Sequence, residues 1–113
     1  MMAKVKYNQD VKSVVDDILL QFPGVVEGKM FGYPAYYLNN KMVGCVYEDG
    51  VGLKVPEATA KALLEKDHIT HFQPLGRRKM REWIQINHTN PQDFLKDENI
   101  FEASVTYLRA LTT

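Results

Sequence analysis

Two closely spaced turn signals constrain the fold of this chain more than any other feature. Asn39-Asn40 and Asp49-Gly50 are residue pairs that tolerate the positive φ angles of tight hairpin turns. Around them, residues 35–38, 41–47 and 51–55 are short stretches suited to extended chain. Two hairpins in succession predict a three-stranded antiparallel meander in the middle of the chain.

The strand predicted over residues 41–47 has two chemically different faces. Successive side chains of a regular strand point to opposite sides of the sheet. One side would hold Met42, Gly44 and Val46, and the other Val43, Cys45 and Tyr47. We therefore expect Met42 to share a face of the sheet with Val46.

The segment before the meander predicts an amphipathic helix. Asn8 or Asp10 can cap its start, and Pro23-Gly24 ends it. Its apolar side chains recur at helical spacing: Val11, Val14, Val15, Ile18, Leu19 and Phe22. Residues 25–31 then suit extended chain, with glycines that indicate bends or bulges.

The second half of the chain predicts a helix, a strand pair and a closing helix. Pro56 and Glu57 suit a helix start, and an alanine-rich run continues to about Lys66. Residues 71–75 and 80–87 predict two strands, and a final helix follows with apolar side chains at Ile100, Phe101, Ser104, Val105, Leu108 and Leu111. The order α-β-β-β-α-β-β-α favours an α+β fold, an antiparallel sheet with helices on one side.

Length and composition limit the class of protein. The 113 residues suit one domain, residues 1–113, and equal numbers of basic and acidic residues, 14 of each, provide no overall field for binding polyanions. The single cysteine, Cys45, forms no intramolecular disulfide, which is typical of a reducing compartment. Neither a signal peptide nor a run of roughly 20 apolar residues is present. We expect a cytoplasmic protein with no membrane segment.

Aromatic side chains predict a surface for a protein partner. Aromatic residues dominate binding hot spots, and helices on one side of a sheet leave its other face available. The candidate residues for that surface are Phe31, Tyr33, Tyr36, Tyr47 and Trp83. The partner would be another protein or a second copy of the chain, as a homodimer. The alternative is that Phe31 and Tyr37 pack beneath the helices.

A basic turn precedes Trp83 and is a candidate anion-binding or nucleic-acid-binding surface. Its cations are Arg77, Arg78, Lys79 and Arg81. Arginines beside an exposed aromatic ring can hold a phosphate and stack on a base. The alternative, which the neutral net charge favours, is a solvated hairpin tip whose cations protect a sheet edge.

The sequence predicts no catalytic residue, no metal site and no cofactor. Cys45 lies within a predicted strand, where a cysteine usually behaves as a small buried apolar residue. His68 and His71 are spaced as a ligand pair, but Ile69 and Thr70 between them favour extended chain, which separates them. His88 has no second close ligand in the sequence. Glycine motifs for phosphate or dinucleotide binding are also absent.

Four segments together resemble the N-terminal domain of TfoX/Sxy-type proteins. They are Lys29-Met30-Phe31-Gly32, Leu38-Asn39-Asn40-Lys41-Met42, Val51-Gly52-Leu53-Lys54-Val55 and Met80-Arg81-Glu82-Trp83-Ile84-Gln85-Ile86. Small proteins of the YjbR/MmcQ type look similar in the same places. The resemblance covers the chain from about Asn8 onward and depends on the order of the segments.

The resemblance implies a secretion-chaperone-like α+β fold, usually in bacteria. Members that gave the family its name regulate natural competence alongside a transcription activator, and many members are stand-alone domains. The chain ends at Thr113, so we expect no second, helical domain. We predict a non-enzymatic cytoplasmic regulatory module that acts through protein contacts. The alternative is an auxiliary transcription or competence regulator that contacts nucleic acid through residues 77–81.

Overall fold

The computed structural model describes residues 5–112 of the chain. Within them the helices are α1 (Gln9–Leu19), α2 (Glu57–Leu63) and α3 (Glu98–Leu111), and the strands are β1 (Val25–Met30), β2 (Tyr33–Leu38), β3 (Lys41–Tyr47), β4 (Gly50–Lys54), β5 (Ile69–His71) and β6 (Trp83–Asn87). All strands belong to one antiparallel sheet in the order β1-β2-β3-β4-β6-β5. The predicted α+β class and antiparallel sheet are confirmed.

The sheet contains one strand more than the sequence predicted. The whole of β1 pairs with β2, from Val25 opposite Leu38 to Met30 opposite Tyr33. Phe31 and Gly32 both have positive φ, 49° and 89°, and form the two-residue connection of a hairpin. Gly32, which was expected to mark a bend, therefore lies in a tight turn, and the meander has four strands.

Helix α1 forms as its apolar spacing predicts. The side-chain oxygen of Asn8 accepts hydrogen bonds from the backbone N–H groups of Asp10 and Val11, which caps the helix start. Five of the six predicted stripe residues are its buried side chains, namely Val11, Val14, Val15, Ile18 and Leu19. The sixth, Phe22, lies beyond the end of the helix and is partly buried against the same core. The Asp16 carboxylate accepts a hydrogen bond from the Tyr36 hydroxyl at 2.5 Å, which ties the helix to β2.

All three helices pack against the same face of the sheet, as predicted. The main core combines buried side chains of α1, α2 and α3 with alternate residues of the strands. From the sheet it includes Val25, Tyr36, Leu38, Val43, Val46, Val51, Leu53, Ile69, Ile84 and Ile86. We call the opposite side of the sheet the open face.

A β-bulge in β3 reverses part of the predicted facing of that strand. Tyr36 lies opposite Gly44, and Tyr37 lies opposite Met42, so Val43 is an extra residue in the ladder. Val43 consequently joins the main core, whereas Met42 packs on the open face. The buried Ser104 hydroxyl of α3 donates to the Val43 carbonyl at 3.2 Å, so the bulge is hydrogen-bonded to the helix above it.

The connection between β5 and β6 is longer than predicted and carries side chains of the open face. β5 is only three residues long, and residues 72–82 between the two strands contain a short 3₁₀ turn at Pro74–Gly76. Phe72 in this connection is buried against the open face. After β6, a 3₁₀ helix at Pro91–Asp97, capped by Asn90, leads into α3.

Among residues 5–112, none of the helices combines the length and the apolar character needed to cross a bilayer.

Candidate functional site

A second, smaller apolar cluster lies on the open face, where no helix covers the sheet. Its buried members are Ala35, Cys45 and Phe72. Around them pack half-buried apolar side chains, namely Met30, Tyr37, Met42, Tyr47, Met80 and Trp83. The open face is therefore apolar at its centre, and the connection between β5 and β6 covers part of it.

Four aromatic rings run in contact across the open face. Tyr33 and Tyr47 have ring centroids 4.8 Å apart, and Tyr47 meets Phe72 edge-on at 6.0 Å. Phe72 in turn lies 5.4 Å from Trp83. These separations fall in the range where aromatic pairs attract each other beyond their shared burial. The row of rings gives the open face a rigid base.

Gly52 in β4 allows the Phe72 ring to lie directly on the backbone of the sheet. A Cβ atom at this position would come within 2.7–2.9 Å of three carbon atoms of the Phe72 ring. That separation is closer than carbon atoms approach in proteins. The absence of a side chain at Gly52 thus sets the depth of the apolar cluster above it.

We call the depression beside this row of rings the methionine pocket. It has a volume of about 220 Å³ and is lined by Met30, Phe31, Met42, Phe72, Pro74, Leu75, Arg77, Met80 and Trp83. Three of the five methionines in the sequence contribute to it. Methionine is flexible and polarisable, so a methionine-lined surface adapts to apolar side chains of different shapes.

Two exposed apolar side chains stand at the rim of the methionine pocket. Phe31 is 62% exposed and Leu75 is 52% exposed. Both have positive φ, 49° and 56°, a conformation that costs energy for residues with bulky side chains. The Leu75 backbone N–H donates to the Tyr47 hydroxyl at 2.9 Å, which fixes this turn to the sheet. Backbone strain of this kind is common at binding sites.

The predicted basic turn lies next to the methionine pocket. The guanidinium carbon of Arg77 sits 5.3 Å from the centre of the Phe31 ring, within the range of a cation–π contact. Arg78, Lys79 and Arg81 are exposed. Across residues 5–112, no carboxylate forms an ion pair with any of these four cations. The pocket therefore has a positively charged border.

Two of the five predicted partner-surface residues are buried. Tyr36 is fully buried beneath α1 because it shares a face of β2 with Leu38 and belongs to the main core. Burial and the Asp16 hydrogen bond raise the pKa of Tyr36. Tyr33 faces the open side but is only 6% exposed. Tyr47 and Trp83 are half-buried there, and Phe31 is exposed.

Cys45 lies in the floor of the open face between Ala35 and Gly52. Its side chain is fully buried, and burial raises the pKa of the thiol to about 12. Nucleophilic cysteines have a lowered pKa and some exposure. This thiol has the opposite properties and serves as a packing group.

As predicted, the side chains of His68 and His71 do not lie together. His71 lines a separate cleft beside α2, together with Leu64 and Lys79. His68 instead lies against His88, with ring centroids 4.8 Å apart.

The sequence reasoning missed the methionines and Leu75 as site residues. Met1 and Met2 aside, all methionines of the chain line the same pocket, although they come from distant segments. Met42 was placed on the same face as Val46 because the bulge at Val43 has no sequence signature. Leu75 was expected within a strand, whereas its positive φ turns it outward.

Comparison with known proteins identifies one family. Residues 17–106 match the family described as the TfoX N-terminal domain, which covers most of the chain. The match spans the sheet, α2 and most of α3, and it includes every residue that lines the methionine pocket. No curated protein and no solved structure match the chain.

Proposed function

Because the chain belongs to the TfoX N-terminal domain family, we propose that it is a regulatory module that acts by binding a protein partner. The proposed partner segment presents one large apolar side chain, aromatic or long aliphatic, with a carboxylate close to it. The apolar side chain enters the methionine pocket, and the carboxylate meets the basic turn. The module acts in the cytoplasm and carries out no chemistry of its own.

The observation that carries this proposal is the methionine pocket with its exposed rim. A volume of about 220 Å³ suits one or two large side chains and is below the range usual for small-molecule sites. Phe31 and Leu75 leave apolar surface in water that a partner would cover. Burial of such surface contributes roughly 25 cal/mol per Å².

The charge of the partner follows from the basic turn. Arg77 lies over Phe31, at the border of the pocket, without a carboxylate partner among residues 5–112. A carboxylate beside the apolar anchor would form a charge-assisted hydrogen bond with this guanidinium. Charged groups at the rim of an interface mainly govern association rate and selectivity, whereas the apolar anchor supplies affinity.

A non-enzymatic role is supported by the state of the one thiol. Cys45 is closed off beneath the aromatic row, and the raised pKa keeps it protonated at neutral pH. The methionine pocket itself is lined by apolar side chains and a single arginine. General acid–base or nucleophilic catalysis needs a titratable pair within hydrogen-bonding reach of the substrate.

The test is selection of peptides from a random displayed library against the purified protein. We expect selected peptides to share a large apolar residue with Asp or Glu within a few positions of it. Their binding should fall at least about tenfold in Phe31→Ser and Leu75→Ser, a loss of about 1.4 kcal/mol or more. The matched control is Leu111→Ser, because Leu111 is 55% exposed at the end of α3. Peptides without the shared pattern, or equal binding by Phe31→Ser, would refute the proposal.

Two companion measurements test for other ligands of this surface. Binding of a labelled DNA duplex that weakens steeply with salt and is lost in Arg77→Glu/Arg78→Glu would favour a nucleic-acid-contacting competence regulator. A dimer in light scattering that dissociates in Phe31→Ser would make a second copy of the chain the partner. Either result would replace the acidic peptide segment as the ligand of this surface.

A further inference from the structure

The pairing of β5 with β6 brings two histidines to one end of the sheet. Ile69 lies opposite Ile86, and the backbone N–H of Asn87 donates to the His68 carbonyl at 2.8 Å. His88 follows directly, so its ring lies beside that of His68, with centroids 4.8 Å apart. This end of β6 is opposite the end that holds Trp83 and the methionine pocket.

Asp97 places its carboxylate between the two imidazole rings. Its two oxygens lie 3.3 Å from Nε2 of His68 and 2.6 Å from Nε2 of His88. The three ligand groups lie within 4.8 Å of one another. Phe94, buried in the main core, holds the His88 ring edge-on at a centroid distance of 4.8 Å. The cluster is therefore fixed on one side by the core.

The Asp97 carboxylate is buried and is not used as a helix cap. Asp97 is 8% exposed and occupies the N-cap position of α3, yet its side chain accepts no hydrogen bond from the helix backbone. Aspartate at this position normally caps the helix. Within the described residues its only side-chain partners are the two histidines, and neither arginine nor lysine pairs with it. Buried charged groups in proteins are paired with opposite charges or coordinate metal ions.

We propose that His68, His88 and Asp97 form a binding site for a divalent first-row transition metal ion, with Zn²⁺ as the best-matched ion. Two imidazole nitrogens and one carboxylate are a common protein ligand set for Zn²⁺. The ion would lie between the carboxylate oxygens and Nε2 of each ring. Ligands about 2.0–2.2 Å from a tetrahedral ion lie roughly 3.3–3.6 Å from one another, so the 2.6 Å separation of Asp97 and His88 needs to widen by roughly 0.7–1.0 Å.

Of the three ligand residues, His88 borders a solvent-filled cleft. This open cleft has a volume of about 410 Å³ and is also lined by Asp49, Asn87 and Thr89. Water from this cleft completes a tetrahedral or higher coordination shell. Since His68 directly precedes β5, His88 directly follows β6 and Asp97 directly precedes α3, the bound ion links the edge of the sheet to the closing helix. This inference does not depend on the proposed partner binding, because the two sites share no residue.

The experiment is calorimetric titration of chelator-treated protein with ZnCl₂. We expect one Zn²⁺ per chain and a higher melting temperature in its presence. His68→Gln and His88→Gln retain an amide that can donate to Asp97, but each removes an imidazole ligand. Each should weaken binding by at least about 10–100-fold, the loss seen for weaker perturbations of metal sites. His71→Gln is the matched control and should bind as the original chain does.

A second readout is independent of any substitution. In ¹⁵N spectra of the histidine rings, Zn²⁺ should shift the Nε2 signals of His68 and His88 and leave those of His71 unchanged. Absence of Zn²⁺ binding at 100 μM ion, roughly −5.5 kcal/mol, would overturn the proposal. So would Zn²⁺ binding that is unaffected by His88→Gln, or ring shifts confined to His71.

Discussion

Gly52→Ala tests whether the backbone of β4 sets the depth of the open-face cluster. The new methyl group would lie 2.7–2.9 Å from three carbons of the Phe72 ring. Phe72 is only 1% exposed and is held between Tyr47 and Trp83, so its ring has little room to withdraw. Overpacking of this kind costs about 1–3 kcal/mol. Replacement of a strand glycine by alanine recovers about 0.5–1 kcal/mol of chain entropy, which leaves a net loss of about 1.3 kcal/mol at the centre of the two ranges.

The assay is urea unfolding of Gly52→Ala, Phe72→Leu and the double variant. For a chain of this size we take an m value of about 1 kcal/mol per M, so the midpoint should fall by about 1.3 M in Gly52→Ala. The leucine side chain is smaller than the phenylalanine ring. Phe72→Leu should therefore lower the free energy of unfolding by less in the Gly52→Ala variant than in the original chain. A Gly52→Ala midpoint within about 0.3 M of the original, or strictly additive losses, would refute the account of the cluster.

Further predictions concern groups whose environment the structure fixes. Cys45 should react with a thiol reagent at least about 100-fold more slowly in the native protein than in urea at pH 8, because only the thiolate reacts and burial raises its pKa to about 12; equal rates would contradict its burial. Tyr36→Phe removes the hydroxyl that donates to Asp16 and should cost about 1.5–3 kcal/mol at pH 7. The Tyr36 pKa is raised above 10.0 in the folded state, so its stabilising effect is complete below pH 10 and is lost above it. Stability of Tyr36→Phe should therefore fall less between pH 10 and 11 than that of the original chain, and parallel curves would contradict this assignment. Asn8→Ala removes the α1 cap and should cost about 1 kcal/mol in urea unfolding; an unchanged midpoint would show that the cap is dispensable.

Features set by neighbouring residues were predictable from the sequence. The α1 stripe and its Asn8 cap depend on contacts within a few turns of one helix, and both formed as predicted. The turns at Asn39 and Asn40 likewise have positive φ, as their residue types indicate. Local chemistry decides such features, so a single sequence suffices.

The facing of side chains on the strands was predictable only where the ladder is regular. The bulge at Val43 shifts every residue before it in β3 to the other face, and this moved Met42 into the pocket. Tyr36 was a different kind of error. It alternates with Leu38, a core residue, so its burial could have been inferred from spacing alone.

Sites assembled from distant segments were outside the reach of sequence reasoning. The methionine pocket combines Met30, Met42 and Met80, and the histidine cluster joins positions 68, 88 and 97. Which of these residues meet depends on the pairing of β5 with β6 and on the path of residues 72–82. Neither this strand pairing nor the path of this connection leaves a local pattern in the sequence, because packing of the whole domain determines both.

The most direct test of the proposed function is methyl NMR of the protein labelled at its methionine methyl groups, titrated with a selected apolar–acidic peptide. Binding in the pocket should shift the signals of Met30, Met42 and Met80 together, with one affinity that falls in Phe31→Ser and is unchanged in Leu111→Ser. A peptide that binds while these three signals remain in place would contradict the claim that the open face is the partner site.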